Sequence, residues 1–285
     1  IKRGKMFKKY GFVGIILIVL IEINFFFKIQ PFANWYFPII WLGYILVVDA
    51  MIYQLRKNSL LSNRPGQLAG MFVISALFWY VFEFLNLGIN NWTYMGVEGI
   101  KEANSIFNRN LFATLSFSTV LPALFETTEL LRSVHLFDKQ KLKKKYKITK
   151  TFLYTIISLG VLSFFLPLTV PQFAFPLVWL SFFLILDPIN YLYKQPSIIG
   201  HLKDRKLVIP LSLLASGLIL GFFWEFWNFW AIPKWTYNIP YLGFFKIFEM
   251  PVLGYFGYFP FALELYAMYW FARSLFIHKE HLLIS

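Results

Sequence analysis

Of seven carboxylates in stretches of this chain too apolar to solvate them, five stand out beside Glu22 and Asp49: Glu83 and Glu126 in its first half, and Asp187, Glu225 and Glu264 in its second. A carboxylate facing lipid costs a few kcal/mol or more, so each is expected to face a protein interior or a cavity. No Lys or Arg lies deep in the same stretches, and several of these acids are expected to hold or share protons. A protonated carboxyl in an apolar, aromatic cavity is a general acid, because burial disfavours the ion without preventing proton donation to a bound molecule. Trp and Tyr faces stabilise a cation that cannot hydrogen-bond, each by about 1–2 kcal/mol when water is excluded. Glu225 is flanked by Trp224 and Trp227, shares a helical face with Asn228, and is followed by Trp235 and Tyr237; Glu83 has Asn86, Trp92 and Tyr94 in corresponding places. This set suits protonation of an alkene or epoxide and cyclisation through a carbocation, a second carboxylate removing the terminal proton. The five acids are therefore candidate catalytic groups, and the Trp, Tyr and Asn residues candidate substrate-binding groups.

The elements that must carry these residues are membrane spans. Of the 285 residues 58% are hydrophobic, 21% aromatic and only 14% charged, far from the balance of a soluble globular chain. Crossing a bilayer takes roughly 20 apolar residues. Stretches near 11–29, 36–55, 68–90, 111–131, 151–170, 174–193, 207–232 and 252–274 qualify, although Glu22 and Asn24 interrupt the first. Basic residues precede that first run as in a signal peptide, but no small-residue cleavage site follows, and it reads as a retained helix. The net charge of +13 resides in short segments between apolar runs, and 22 of the 27 Lys and Arg fall on one side if the N-terminus is cytoplasmic. That asymmetry predicts an all-α protein of the cell membrane with eight spans and both termini cytoplasmic. It is a topology signal rather than a nucleic-acid surface. The basic run DKQKLKKKYKITK, starting at Asp138, reads as a solvated cytoplasmic linker within reach of anionic headgroups.

An internal repeat organises the spans. FPIIWLGYILVVDAMIY, starting at Phe37, aligns without gaps with FPLVWLSFFLILDPINY, starting at Phe175, matching Asp49 to Asp187. Glu83-x-x-Asn86 followed by Trp92-Thr93-Tyr94 matches Glu225-x-x-Asn228 followed by Trp235-Thr236-Tyr237, and Pro122-x-x-x-Glu126 matches Pro260-x-x-x-Glu264. The expected organisation is a four-helix repeat at 1–135, a linker at 136–150 and a second repeat at 151–285. An even number of spans gives both repeats one orientation, related by a pseudo-twofold axis along the membrane normal. At about 1.5 Å per residue, Asp187 and Glu264 lie roughly 18 Å, and Glu225 roughly 10 Å, from the outer ends of their helices. On that basis Glu225 and Glu264 are expected to share one cavity. A purely structural reading also fits: carboxyls that fix helix packing through Asn, Tyr and backbone partners, and Trp-Thr-Tyr pairs that belong to an interfacial aromatic belt.

Absences narrow the chemistry. There is no cysteine, which removes disulfides, thiolate metal sites and iron–sulfur clusters. All four histidines (His135, His201, His278 and His281) fall in expected cytoplasmic segments, which disfavours intramembrane haem, di-iron and most zinc sites. No Asp-rich diphosphate motif or phosphate-binding glycine loop is present. The expectation is metal-free, cofactor-free, proton-based chemistry.

The order within each half, an Asp-bearing helix, a Glu-bearing helix leading to a downstream Trp-x-Tyr, then a Pro-x-x-x-Glu helix, resembles the tandem membrane domains of the heterodimeric or fused lycopene cyclases. The resemblance covers residues 36–131 and 174–270 as a pattern. It implies cofactor-independent, acid-catalysed cyclisation of carotenoid ends, with Glu126 and Glu264 near that family's proline-linked acidic motif and Glu83 and Glu225 near its preceding acidic position. The chain departs from the family in placing the acid four residues after Pro and in carrying one extra helix per half. Three classes of function fit the residues: an enzyme acting on an isoprenoid-like membrane lipid, a proton-coupled transporter, and a non-catalytic subunit that binds lipid or pigment.

Overall fold

The computed structural model describes residues 7–97, 106–241 and 243–276; Lys101, His278, His281 and the expected cytoplasmic C-terminal tail lie outside them. The described chain is mostly helical: α1 (Lys9–Phe27), α2 (Tyr36–Arg56), α3 (Leu60–Asn63), α4 (Pro65–Ile89), α5 (Ile106–Ser118), α6 (Val120–Ser133), α7 (Lys150–Thr169), α8 (Pro171–Ala174), α9 (Val178–Leu192), α10 (Ile198–Lys203), α11 (Val208–Trp230) and α12 (Tyr258–Phe276). Seven helical stretches among the described residues are long and apolar enough to cross a membrane: α1, α2, α4, the α5–α6 stretch, α7, the α8–α9 stretch and α11. The chain is thus a helical protein of membrane character. The eighth expected span, at 252–274, begins as a 3-10 turn and continues as α12, which is not among the seven. Glu264, Arg273 and three tyrosines make α12 less apolar, and it needs no lipid-facing surface, because Tyr266, Ala267, Tyr269 and Trp270 are each no more than 1% exposed.

Polar residues that interrupt the sequence pattern are satisfied inside the fold. Asn24 does not break α1 but closes it, its amide bonding both the N–H and the C=O of Ile29 while Lys28 turns left-handed at φ 52°. Glu22 accepts from Tyr36 Oη at 3.2 Å and Trp227 Nε1 at 3.1 Å. The α5–α6 break at Thr119 follows from Pro122, which has no N–H to continue the helical ladder. Ser75 splints the break, donating to Phe117 O at 2.6 Å and accepting from Leu121 N at 3.0 Å.

Helix α1 packs along α2 and α7 along α9. Both pairs rest on small residues: a Cβ on Gly14 would lie 2.6 Å from the Gly43 carbonyl, and one on Gly160 would lie 2.9 Å from Ile185 N. The core between them is aromatic. Trp41 on α2 packs against Trp224 on α11 with ring centroids 5.6 Å apart, and Trp179 on α9 packs against Phe82 on α4 at 5.2 Å.

Two short ribbons join the helices. Strand β1 (Trp92–Met95) pairs antiparallel with β2 (Lys234–Tyr237), and β3 (Lys246–Ile247) with β4 (Met250–Pro251). Trp, Thr and Tyr favour extended backbone, and the two Trp-Thr-Tyr segments satisfy each other's main chain once their helices end. Their register joins Trp92 to Tyr237, Thr93 to Thr236 and Tyr94 to Trp235. Helix α2 shows how the molecule is laid out: Phe37 meets Trp235 of this ribbon, while Arg56 ends the helix at the other side beside α3, about 28 Å away at helical rise.

Candidate functional site

The α4 helix ends at Asn90, which takes the left-handed conformation and turns the chain back so that β1 passes over the last turns of α4. Asn86 fixes this return, donating from Nδ2 to Trp92 O at 2.8 Å and accepting from Asn91 N at 2.8 Å. On α11, Asn228 does the same for β2, donating to Trp235 O and accepting from Trp235 N, both at 2.8 Å. Both amides are thereby committed to backbone. The expectation that Asn86 and Asn228 contact a substrate is corrected: they clamp the strands that carry the neighbouring rings.

Those strands deliver their donors to the two helix carboxylates. Glu83 Oε1 accepts from Trp79 Nε1 at 3.0 Å, Trp92 Nε1 at 3.0 Å and Tyr94 Oη at 2.5 Å. Glu225 Oε1 accepts from Tyr237 Oη at 2.6 Å and from Tyr258 Oη at 2.5 Å, and Trp235 Nε1 donates to the Tyr237 oxygen at 2.7 Å. Burial, and then the Glu225 carboxylate, push the Tyr237 phenol well above its ordinary value, so its hydroxyl keeps its proton and serves as a donor. Aromatic N–H and O–H groups thus do here what Lys or Arg would do in a soluble protein. Glu22, with Tyr36 and Trp227, follows the same rule.

Between these carboxylates lies a cavity of about 570 Å³. Glu83 lies on its wall, as do Trp92, Tyr94, Trp224, Trp235 and Tyr237 of the expected binding residues. Glu225 lies behind its wall, reached through Tyr237 and Tyr258, which both face the space. The carboxylate Oε2 of Glu225 is buried without a hydrogen-bond partner among the described residues. Trp79, Trp179, Phe37, Arg109 and Tyr258 complete the picture and were not expected from sequence. Trp79 carried one readable signal, its position four residues before Glu83 on the same helix face. Tyr258 carried none: its contact with Glu225 spans 33 residues and depends on its ring lying over Gly221, where any Cβ would collide with it.

The remaining expected residues lie elsewhere. Trp227 packs on Trp41, ring centroids 4.8 Å apart, and bonds Glu22. Glu264 is fully buried on α12 and accepts from Phe182 N at 2.8 Å, within α9. It does not line the cavity and does not share an environment with Glu225, which corrects the expected pairing: depth along a helix leaves direction around the helix axis unspecified. Asp187 accepts from Ile198 N at 2.6 Å and Ile199 N at 2.9 Å, so it holds the start of α10. Asp49 does the corresponding work for α3 through Leu61 N at 2.7 Å and Ser59 Oγ at 2.7 Å. Glu126 is buried with its carboxyl against that of Asp49. Asp187, Glu264 and Glu126 therefore do not line the cavity, and the first two accept hydrogen bonds from backbone. No cluster of potential metal ligands occurs among the described residues. Compared with protein-family models, with curated proteins and with solved structures, the chain finds no match in any of the three.

Proposed function

We propose that this chain is an integral membrane enzyme performing cofactor-free acid–base chemistry on a polyene or isoprenoid-like lipid held in the aromatic cavity. The observation that carries the reading is the pair of carboxylates bracketing that cavity, Glu83 on its wall and Glu225 one phenol behind it. A lipid double bond lying between them takes a proton relayed from Glu225 in its protonated form: the hydroxyl of Tyr237 or Tyr258 turns to accept from Glu225 and passes its own proton on in the same step, so that no tyrosinate forms. The neighbouring double bond attacks the cation, a carbon–carbon bond forms, and Glu83 removes a proton from the adjacent carbon. The product is an isomer of the substrate, and the proton gained by Glu83 and lost by Glu225 equilibrates with solvent. Meanwhile the faces of Trp79, Trp92, Trp179 and Trp235 lie around the positive charge. A carotenoid end group is one substrate of this class.

The same reading takes the chain as two tandem four-helix repeats in one orientation, with both termini and the lysine-rich end cytoplasmic in the cell membrane. Matched contacts support it: Trp41–Trp224 against Phe82–Trp179, Asn86 against Asn228, Asp49 against Asp187, and a ribbon centred on Thr93 and Thr236. The pseudo-twofold axis then passes through the ribbon, and the cavity lies between the repeats.

The test is turnover by purified protein supplied with lipid extract in heavy water. The expected product is an isomer of its substrate with one deuterium in place of one hydrogen, and Glu83→Gln and Glu225→Gln each lower the rate by about 100-fold or more while the protein stays folded. Undiminished turnover in both variants overturns the proposal, as does a wild-type chain that carries protons across vesicles and alters no lipid.

A further inference from the structure

At the end of the molecule opposite the aromatic cavity is a second cleft, of about 320 Å³, lined by Arg56, Arg132, His135, Asp138, His201 and Lys206 together with the first residues of α11. Every wall is a helix end or a loop: Arg56 closes α2, Arg132 lies in the last turn of α6, and Lys206 precedes α11. Along α2 the cleft stands about 28 Å from Phe37 in the aromatic cavity, close to the roughly 30 Å of a bilayer's hydrocarbon layer. It therefore lies at headgroup depth.

Its charges do not cancel. Arg56 and Arg132 converge on one carboxylate, Glu129, at 2.5 and 2.8 Å, and His135 faces Asp138 at 2.5 Å. The Lys206 ammonium takes part in no hydrogen bond or ion pair among the described residues. The linker increases the imbalance instead of relieving it. Lys141 bridges antiparallel to Lys206, Arg205 Nε donates to Leu142 O at 2.7 Å, and Leu142 N donates to Arg205 O at 3.2 Å. This pins the run containing Lys139, Lys141, Lys143, Lys144 and Lys145 beside the cleft. Like charges placed directly opposite one another are unfavourable, so a fold that fastens them together leaves a positive field for an anion to neutralise. His201 registers that field, since burial, Lys206 and Arg132 push its imidazole down to about 4 and keep it neutral, hydrogen-bonded to Tyr266 Oη at 3.0 Å.

We propose that this cleft binds a phosphate group, either the phosphodiester of an anionic membrane lipid or free inorganic phosphate, with Arg56, Arg132 and Lys206 as its cationic contacts. Basic pockets at helix ends on the positively charged face are a recurring form of lipid headgroup site. The proposal is independent of the chemistry at the aromatic cavity.

The experiment titrates the full chain in neutral detergent with phosphatidylglycerol, with phosphatidylcholine and with inorganic phosphate, following bound ligand by native mass spectrometry. The expected result is one saturable site that takes phosphatidylglycerol or inorganic phosphate in preference to phosphatidylcholine. Lys206→Gln weakens that binding about five-fold, and Lys206→Glu weakens it further. Lys28→Gln, which removes an equal charge at the far end of α1, leaves it unchanged. Phosphatidylglycerol binding that survives millimolar phosphate identifies the lipid as the source, and competition by phosphate identifies the free anion. Equal binding of both lipids with no binding of phosphate overturns the proposal, and so does equal weakening by Lys28→Gln. Melting temperatures of the three variants confirm that the folded protein is being compared.

Discussion

Replacing Asn228 with alanine separates the two roles this residue could have. Its side chain is fully buried, and its amide makes two 2.8 Å bonds to the backbone of Trp235. Alanine leaves one N–H and one C=O without partners, each worth about 1–3 kcal/mol when buried. Trp235 is only half-buried, so water recovers part of this, and a net loss of about 2–4 kcal/mol is expected. For a chain of this size that corresponds to a fall in melting temperature of roughly 5–15 °C. Asn228→Asp is the sharper variant, because it keeps the acceptor for Trp235 N and replaces the donor to Trp235 O with a lone pair in a buried place. It should be at least as destabilising as alanine. Thermal unfolding in detergent, read by tryptophan fluorescence, measures both. Asn86→Ala should behave alike, and the double variant should cost less than the sum, since both amides hold one ribbon. A melting temperature unchanged in Asn228→Ala, with lipid binding lost, would refute the clamp and restore Asn228 as a substrate contact.

Two further outcomes follow from local geometry. Gly221→Ala places a methyl group against the Tyr258 ring and should push its hydroxyl off Glu225; turnover should fall much more than the melting temperature, and an unchanged rate would remove Tyr258 from the path. His201 gives a pH signature. Its folded value of about 4 lies below its ordinary 6.5, so the unfolded chain binds the extra proton first; stability is full above about pH 6.5 and falls by up to about 3 kcal/mol as pH drops towards 4. The groups facing it are Lys206, Arg132, Asp204 and the Tyr266 hydroxyl. His201→Gln should flatten unfolding curves measured between pH 4 and 7.

The spans were legible because lipid-facing helices such as α1 and α7 are apolar nearly all round, and the boundaries at Lys28 and Thr149 coincide with charge and capping residues. The association of Glu83 with Trp92 and Tyr94, and of Glu225 with Tyr237, was also legible, since each acid and its donors recur at nearly constant spacing in both halves. What sequence could not supply was direction. Glu264 and Glu225 are both glutamates within apolar helices, yet one turns to the backbone of α9 and the other to Tyr258. Asp187 looked like an intramembrane acid with work to do, but its partners, the N–H groups of Ile198 and Ile199, are set by a short helix whose return toward α9 leaves no mark in hydropathy. Repetition identifies equivalent residues without saying which copy faces which; Trp41 packs on Trp224 of the second half rather than on Phe82, the equivalent residue of its own half.

The ribbon of Trp92–Met95 and Lys234–Tyr237 is centred on a residue pair, Thr93 and Thr236, whose hydroxyls approach to 3.3 Å. Because side chains alternate along a strand, this centring sends Trp92, Tyr94, Trp235 and Tyr237 to one side, and all four reach the cavity. A slip of one residue in either strand would turn that strand's rings outward and take from its carboxylate the donors that strand supplies. The connections from Asn86 to Trp92 and from Asn228 to Trp235 differ in length by one residue, so the amide clamps and the strand pairing, rather than the length of the connection, fix this register. A four-residue strand acts as the tooth of a lock, admitting one setting in which both acids are provided for and rejecting its neighbours.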